Sequence, residues 1–474
     1  MSTYPNDPND ANDDELQDIL QQYRNLKAGI SYSFIDEDAF EIIIDYFDDN
    51  DKLIDAIEAS NHAINQYPYS AALLIKKADL LIASKKFKEG LQILRQAEVL
   101  DASDINLYIL KTDAYLALDL KDKAAAVMQT AIELFEGDEK IELLFELSDV
   151  FDDYENFDKV FDCLKMVLEL DATSEEALYK ICFWTDYTGR NEEGIKLHQN
   201  ILDEHPFNEL AWFNLAAAYQ GIKLYEKSID AYKYAVAIDD TFDFAYRNMG
   251  DAYLRLRKYN EAIEVLQKVL ELSRPEGVIY EAIGHSYDKL QNYIQARYYY
   301  RKASHLDAED SQLYFKIACT YMNEGQWDSA IKHLTTAMRI YKMQPEFNLA
   351  MGQCLVEQGK CNEAIIYFSN VVKARPKNAT SWVELLKCLY KGAFFEDGLS
   401  YAVKALQQTN AKPIFYFYIS AFLFALNKSK AAVLQLEMGI SKNPRLIKKM
   451  RELDPAILQN PMIINVLAKH RSKK

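Results

Sequence analysis

The chain contains 474 residues, of which 49% are hydrophobic and 27% are charged, and its formal net charge is −18 at pH 7. This balance allows a buried core and excludes a wholly disordered chain. No apolar run reaches the roughly 18 to 20 residues that a membrane-spanning helix requires, and the acidic start of the sequence differs from a signal peptide. Only 15 glycines and 11 prolines occur. Their scarcity favours a helical fold, because both residues interrupt helices.

The charge is distributed unevenly along the chain. Residues 1–250 contain 51 acidic and 22 basic side chains, whereas residues 251–474 contain 21 acidic and 32 basic ones. The acidic total argues against a dedicated nucleic-acid binder, because neutralising phosphates requires concentrated lysine and arginine. The basic second half keeps RNA binding there as a minor alternative.

The cysteines indicate the redox environment of the protein. Six are present, without a CxxC pair, and they are too few for a disulfide scaffold. We therefore expect reduced, mostly buried thiols and a cytoplasmic protein.

The predicted elements begin with an acidic N-terminal tail. Residues 1–12 are polar and are expected to be disordered. Asp13 or Asp14 can cap a helix within residues 13–36, which predicts an N-terminal capping helix. One face of that helix is apolar and consists of Leu16, Ile19, Leu20, Tyr23 and Leu26.

A 34-residue repeat follows and occupies residues 37–446. Counted from Glu37, the twentieth position is small in every repeat except the one with Val160, and the eighth position is mostly small as well. Large aromatic residues recur at the fourth and eleventh positions. One two-residue insertion near Glu139 keeps the register, so the pattern predicts twelve repeats.

The spacing within each repeat predicts two helices packed as a hairpin. Positions 4, 7, 8 and 11 form one apolar stripe, and positions 20, 24 and 27 form another. Small residues at positions 8 and 20 let the two backbones approach closely beside large neighbours. A single hairpin cannot bury its stripe, so we expect the repeats to stack on one another.

These residues resemble a known repeat family. The segment with Trp212, Leu215, Ala216 and Tyr219 is similar to the tetratricopeptide repeat, and the next repeat contains the matching Tyr246, Met249, Gly250 and Tyr253. The resemblance covers all twelve repeats. It implies an all-α, right-handed superhelical solenoid of helix hairpins.

The C-terminal residues 447–474 lie outside the repeats. They contain Met450, Leu453, Ile457, Leu458, Ile463, Ile464 and Leu467 and end in the basic run 469–474. This composition predicts one or two C-terminal capping helices and a basic tail.

The sequence lacks the motifs of common catalytic sites. It contains no phosphate-binding loop, no nucleophile elbow and no zinc-protease motif. His198 and His205 lack further metal ligands nearby in the sequence, and Cys354 and Cys361 are expected to pack without a function. We therefore expect no enzyme activity, no metal site and no cofactor.

The resemblance implies that the first helix of each repeat lines a concave groove, mainly through positions 2, 5, 9, 12 and 13. Position 9 is Asp45, Asp79, Asp113 and Asp149 in the first four repeats. One interpretation is a groove that attracts a basic partner. The other is that this position often holds Asn or Asp in the family, independently of any ligand.

Aromatic residues occupy the groove positions of the middle repeats. They are not part of the apolar stripes within the repeats, so they are candidate contacts for a ligand, although neighbouring loops could also cover them. Arg247 and Arg255 are the main cations near them. The rings are Phe145, Tyr179, Phe183, Tyr187, Phe213, Phe244 and Phe315.

The final repeat carries an unusually apolar groove face. Ile414, Phe417 and Phe424 fall at groove positions and predict a surface that something covers. The C-terminal segment is the preferred covering element. The alternative is a partner protein or a second copy of the chain, which leaves a homo-oligomer open.

Together these features predict a non-enzymatic scaffold or adaptor that binds a peptide segment or partner protein in its groove. A chaperone-tail receptor is disfavoured, because no repeat has asparagine at position 9. A regulatory subunit of an enzyme on another chain is a further alternative.

Overall fold

The computed structural model describes residues 8–30, 34–153, 155–342 and 344–471. In these ranges the chain forms 27 α-helices and two short 3₁₀ helices, and no strand. The predicted N-terminal tail lies outside these ranges up to residue 7, and the first helix begins at Pro8. Residues 472–474 of the predicted basic tail also lie outside them.

The chain divides into two compact units, Met1–Asp240 and Thr241–Lys474. The helices of the first unit are α1 (Pro8–Lys27), α2 (Glu37–Asp49), α3 (Leu53–Gln66), α4 (Ala71–Ala83), α5 (Phe87–Leu100), α6 (Ile105–Ala117), α7 (Lys121–Leu134), α8 (Gly137–Asp153), α9 (Phe157–Leu170), α10 (Glu175–Thr188), α11 (Asn191–Glu204), α12 (Glu209–Gly221) and α13 (Tyr225–Ile238).

The second unit continues the series of paired helices. Its helices are α14 (Asp243–Arg255), α15 (Tyr259–Leu272), α16 (Gly277–Lys289), α17 (Tyr293–Leu306), α18 (Ser311–Asn323), α19 (Trp327–Ile340), α20 (Pro345–Glu357), α21 (Cys361–Ala374), α22 (Ala379–Lys391), α23 (Phe395–Gln408), α24 (Ile414–Ala425), α25 (Ser429–Lys442), α26 (Lys448–Leu453) and α27 (Pro461–Arg471), with 3₁₀ helices at Pro444–Ile447 and Ile457–Gln459.

Each repeat forms one hairpin, from α2 with α3 to α24 with α25. Within each unit, successive hairpins pack on one another, as the predicted stacking requires. Helix α8 has 17 residues instead of the usual 13 or 14, which accommodates the insertion near Glu139. The predicted all-α solenoid of helix hairpins is confirmed.

The turn inside every hairpin has the same backbone geometry. The fifteenth residue of each of the twelve repeats adopts a left-handed conformation, and only three of these residues are glycines: Gly189, Gly325 and Gly359. In eleven of the repeats the next residue donates its N–H to the carbonyl of position 11, as Lys86 does to Leu81 at 2.8 Å, whereas in the remaining repeat Gly189 itself donates to the carbonyl of Asp186 at 3.1 Å. The hydrogen bond to position 11 is the Schellman type of helix ending.

Small residues allow the two helices of a hairpin to approach closely. A Cβ atom added to Gly250, Gly284 or Gly352 would lie 2.6 to 2.8 Å from a side chain on the paired helix. Those side chains are Leu266, Tyr300 and Phe368, each nearly fully buried. The predicted role of small residues at position 8 therefore holds in these hairpins.

Across the described parts of the chain, every helix is too short or too polar to cross a membrane.

Candidate functional site

The predicted aspartates lie on consecutive first helices of the first unit. Asp45, Asp79, Asp113 and Asp149 are exposed on α2, α4, α6 and α8. We call these four residues, together with Asp48 and Glu146, the acidic row. Glu146 occupies position 6 of its repeat, so the repeat pattern gave no reason to include it.

Internal cations neutralise only the two ends of the acidic row. The Nζ atom of Lys76 lies 2.7 Å from Asp45, and that of Lys180 lies 3.7 Å from Asp149. Within the described ranges, Asp79 and Asp113 form no ion pair. The centre of the row therefore carries negative charge without an ion pair, although the nearby charge of Lys76 partly offsets that of Asp79.

The carboxylates of the row influence one another electrostatically. Partial burial, and then the charge of Asp48, raises the pKa of Asp79. Burial and the charge of Asp79 raise the pKa of Asp113, and burial followed by Asp113 and Asp149 does the same for Glu146. Since like charges disfavour ionisation, a bound cation would relieve this repulsion.

Three exposed rings lie on α10, the first helix of the repeat that comes after the acidic row in the sequence. Tyr179, Phe183 and Tyr187 occupy every fourth residue of the helix and are each about 60% exposed. The rings of Phe183 and Tyr187 are nearly parallel, with centroids 5.8 Å apart. We call these three residues the aromatic stripe. Large side chains rarely leave so much apolar area exposed together unless the surface binds something.

A second layer of rings holds the aromatic stripe in place. Trp184 stacks on Phe157 at 5.1 Å and contacts Phe183 edge-on at 4.9 Å. Phe157 also contacts Tyr187 at 4.8 Å. Sequence analysis missed both supporting residues. Trp184 occupies a position without a recurrent pattern, whereas Phe157 occupies position 17, where aromatic residues recur in Phe87, Tyr225, Tyr259, Tyr293, Trp327 and Phe395, so its ring could have been noticed.

Two of the predicted rings of the first unit are less exposed to a ligand than the aromatic stripe. Phe145 is half-buried, and the Nζ atom of Lys180 lies 5.2 Å from its ring centroid. Phe213 is half-buried and lies 5.6 Å from the ring of Tyr232. Both rings therefore expose less apolar area to a ligand than the rings of the aromatic stripe.

In the second unit the predicted residues have internal partners or are isolated. Arg247 forms an ion pair with Glu276 at 2.7 Å, and its guanidinium lies 5.8 Å from the ring of Phe244. Phe244 is exposed. Phe315 packs at 5.0 Å against the buried ring of Phe347. These three residues form no continuous surface comparable to the aromatic stripe.

The C-terminal segment covers the apolar groove face of the last repeat. Phe417 is fully buried in a cluster with Met450, Ile457 and Ile463. Phe424 packs at the edge of this cluster, and Ile414 is half-buried. Phe417 therefore has no exposed surface to offer a partner, because the chain itself occupies this face.

The buried nucleophilic groups are poorly suited to chemistry. Burial raises the pKa of the Cys163 and Cys388 thiols to about 12, and a protonated thiol is a weak nucleophile. The described residues contain no cluster of three or more His, Cys, Asp or Glu side chains that could hold a metal ion. The exposed face of the first unit is instead suited to binding by charge and apolar contact.

The family model of the C-terminal ARM domain of tetratricopeptide repeat protein 21 matches residues 212–365. The structure of YrrB, described as a TPR protein with an unusual peptide-binding site, is 18% identical, with a TM-score of 0.35, and the match covers 39% of this chain and 95% of that one. The C-terminal part of a TPR protein from Cytophaga hutchinsonii is 16% identical, with a TM-score of 0.44 and coverages of 54% and 99%.

The structure of pilF from Pseudomonas aeruginosa is also 16% identical, with a TM-score of 0.35 and coverages of 45% and 98%. No curated protein matches the chain significantly. The 34-residue repeat, the helix hairpins that it forms and the matching family model together identify the chain as a tetratricopeptide-like repeat protein.

Proposed function

We propose that the chain is a non-enzymatic interaction scaffold whose first unit binds a segment of a partner protein along the acidic row and the aromatic stripe. The observation that carries this proposal is the aromatic stripe, with three large rings each about 60% exposed on one helix face. Apolar area of this kind is typical of interaction surfaces.

The acidic row defines the charge of the proposed partner. Asp79 and Asp113 lack ion pairs within the described ranges, and after burial the charge of Asp48 raises the pKa of Asp79 while that of Asp79 raises the pKa of Asp113. A lysine or arginine in the partner would offset this cost, and electrostatic attraction would accelerate its association. Arginine can also stack on the rings of Phe183 and Tyr187. The proposed partner segment is therefore basic and carries large apolar or arginine side chains.

Site-specific crosslinking tests the groove. A photoreactive phenylalanine analogue is placed at Tyr179 or Phe183, and as a control at Tyr234, which is similarly exposed on α13. After illumination in native extract, the two groove positions should capture the same protein. The control position should not capture it.

A variant of the acidic row tests the role of charge. The Asp79→Asn/Asp113→Asn/Asp149→Asn variant should weaken this crosslink at low salt and reduce its salt dependence, while the melting temperature stays near that of the wild type. Identical products at groove and control positions would contradict a groove site. Unchanged capture by the aspartate variant would contradict a basic partner while leaving the aromatic contact intact.

A further inference from the structure

A cleft in the second unit carries the opposite charge. Its volume is about 680 Å³, and it lies along α17, the second helix of its hairpin. Tyr321 of α18 forms part of its wall. Of the described residues that line the cleft, four are basic and none is a carboxylate. The lining residues from α17 are Ile294, Arg297, Tyr298, Arg301, Lys302 and His305.

Two of these cations have aromatic rather than acidic partners. Arg301 donates from Nη2 to the phenol oxygen of Tyr321 at 2.7 Å. The Nζ atom of Lys302 lies 5.0 Å from the ring centroid of Tyr298. Neither side chain forms an ion pair with any residue that the structure describes. The neutral tyrosine side chains therefore orient Arg301 and Lys302 without compensating their positive charges.

Arg297 forms the base of the cleft. It is nearly fully buried and pairs with Glu324 at 2.7 Å. Its guanidinium also lies 4.3 Å from the ring centroid of Tyr321, on which His333 stacks at 5.5 Å. The carboxylate of Glu324 is thus engaged by Arg297, and the ring of Tyr321 is fixed by two neighbours.

The pKa of His333 reflects burial and the positive electrostatic potential beside Arg301 and Arg297. Burial, followed by the charges of Arg301, Lys332 and Arg297, lowers the pKa of His333. Positive charges disfavour protonation of a neighbouring imidazole. The same potential would favour an anion.

We propose that this cleft binds a carboxylate-rich segment of a partner protein. Arg301 and Lys302 would pair with the carboxylates, while Ile294 and Tyr298, which are 70% and 49% exposed, would contact apolar side chains between them. The guanidinium group suits a carboxylate because it can donate two parallel hydrogen bonds.

The surroundings favour a peptide over other anions. A single phosphate ion would leave most of the cleft empty. Nucleic-acid bases need free aromatic faces, but the ring of Tyr321 is already contacted by Arg297 and His333, and Lys302 lies over the ring of Tyr298. The site is separate from the groove of the first unit, so it adds a second, oppositely charged partner to the proposed scaffold.

The test uses the whole chain and a fluorescein-labelled peptide made of repeated Glu-Glu-Leu triplets. Fluorescence anisotropy at low salt should show saturable binding to the wild type. The Arg301→Glu/Lys302→Glu variant should bind at least about tenfold more weakly. The matched control is Lys404→Glu/Lys430→Glu, which reverses two exposed cations on α23 and α25. This control has the same net charge as Arg301→Glu/Lys302→Glu, but its two substitutions lie outside the lining of the cleft. It should therefore change the affinity by less than about twofold.

Three results would overturn the proposal. They are the absence of saturable binding by the wild type, equal weakening in the two double variants, and tighter binding of a labelled oligothymidylate that Arg301→Glu/Lys302→Glu abolishes. The last result would identify a nucleic-acid site. If circular dichroism shows that Arg301→Glu/Lys302→Glu has lost helix, Arg301→Gln/Lys302→Gln and Lys404→Gln/Lys430→Gln replace the two variants. The proposal then requires that the glutamine variant of the cleft binds the peptide more weakly than the glutamine control variant does.

Discussion

His198 on α11 is a titratable side chain in an apolar environment. It is fully buried, and neither ring nitrogen has a hydrogen-bond partner among the residues that the structure describes. Burial lowers its pKa to about 3. The folded protein therefore keeps this ring neutral, whereas the unfolded chain takes up a proton below about pH 6.5. Protonation of His198 thus stabilises only the unfolded chain, so the free energy of unfolding decreases as the pH falls from about 6.5 towards 3.

The His198→Leu variant should therefore gain stability relative to the wild type in acid. At pH 7 we expect little change or a small gain, because leucine fills a similar volume without unpaired polar atoms. At about pH 4.5, two units below the ordinary pKa, the gain should rise to about 3 kcal/mol, given about 1.4 kcal/mol for each pH unit. Urea unfolding followed by circular dichroism at both pH values measures the difference. An equal effect at both pH values would contradict a neutral buried imidazole.

At the scale of single helices, glycine determines how closely two partners pack. A Cβ atom at residue 352 would lie 2.7 Å from the buried ring of Phe368. Because that ring is enclosed, Gly352→Ala should destabilise the protein by about 1 to 3 kcal/mol. Gly277 begins α16, and its added Cβ would meet nothing closer than 3.9 Å, so Gly277→Ala is the control and should be neutral or stabilising. Chemical unfolding tests both, and similar losses would contradict the packing argument.

The left-handed turn position gives a prediction with opposite signs at two equivalent sites. Ala393 adopts a φ of 57° and Gly189 a φ of 72°. A left-handed conformation costs a residue with a Cβ atom about 1 to 2 kcal/mol, which exceeds the entropic benefit of alanine in the unfolded chain. Ala393→Gly should raise the melting temperature, and Gly189→Ala, which has free space for its methyl group, should lower it. Shifts of the same sign in differential scanning calorimetry would show that φ does not control this position.

At the scale of the whole molecule, the two units differ in charge and in how their apolar faces are completed. Residues 1–240 have a net charge of −29 and residues 241–474 a net charge of +11. The first unit leaves its aromatic stripe exposed. The second unit covers Phe417 with its own C-terminal segment. An open apolar face thus coincides with strong negative charge in only one of the two units.

Truncation after Asp454 tests the role of the C-terminal segment. It removes Ile457, Ile463 and Val466 from the cluster around Phe417. We expect a lower melting temperature and new binding of an apolar dye, because the exposed face can no longer be shielded from water. Truncation after Ala468 retains the cluster and should behave like the wild type. If the shorter chain stays equally stable and dye-free but loses a partner or a dimer, the segment is a docking element instead.

The sequence by itself determined the hairpins of this protein. The contacts within a hairpin join residues less than 34 positions apart, and the same small and large residues recur in every repeat, so periodicity alone revealed them. The assignment of Tyr179, Phe183 and the aspartates of position 9 to a groove came from the resemblance to the tetratricopeptide repeat and stays a prediction. The support from Trp184 was invisible, because its position shows no recurrent residue type, and the recurrent ring at the position of Phe157 gave no sign that it would contact the aromatic stripe.

Only the tertiary structure decided which of these groups are available. Phe145 and Phe315 occupy the same repeat position as Tyr179, yet both are half-buried while Tyr179 is exposed. The ion pair between Arg247 and Glu276 and the C-terminal cover over Phe417 are further examples. The cover over Phe417 comes from outside the repeats, and the ion pair joins two residues that are 29 positions apart at the two ends of one repeat. Burial and ion pairing at these places are set by contacts between particular helices, which the recurrent pattern of small and large residues does not encode.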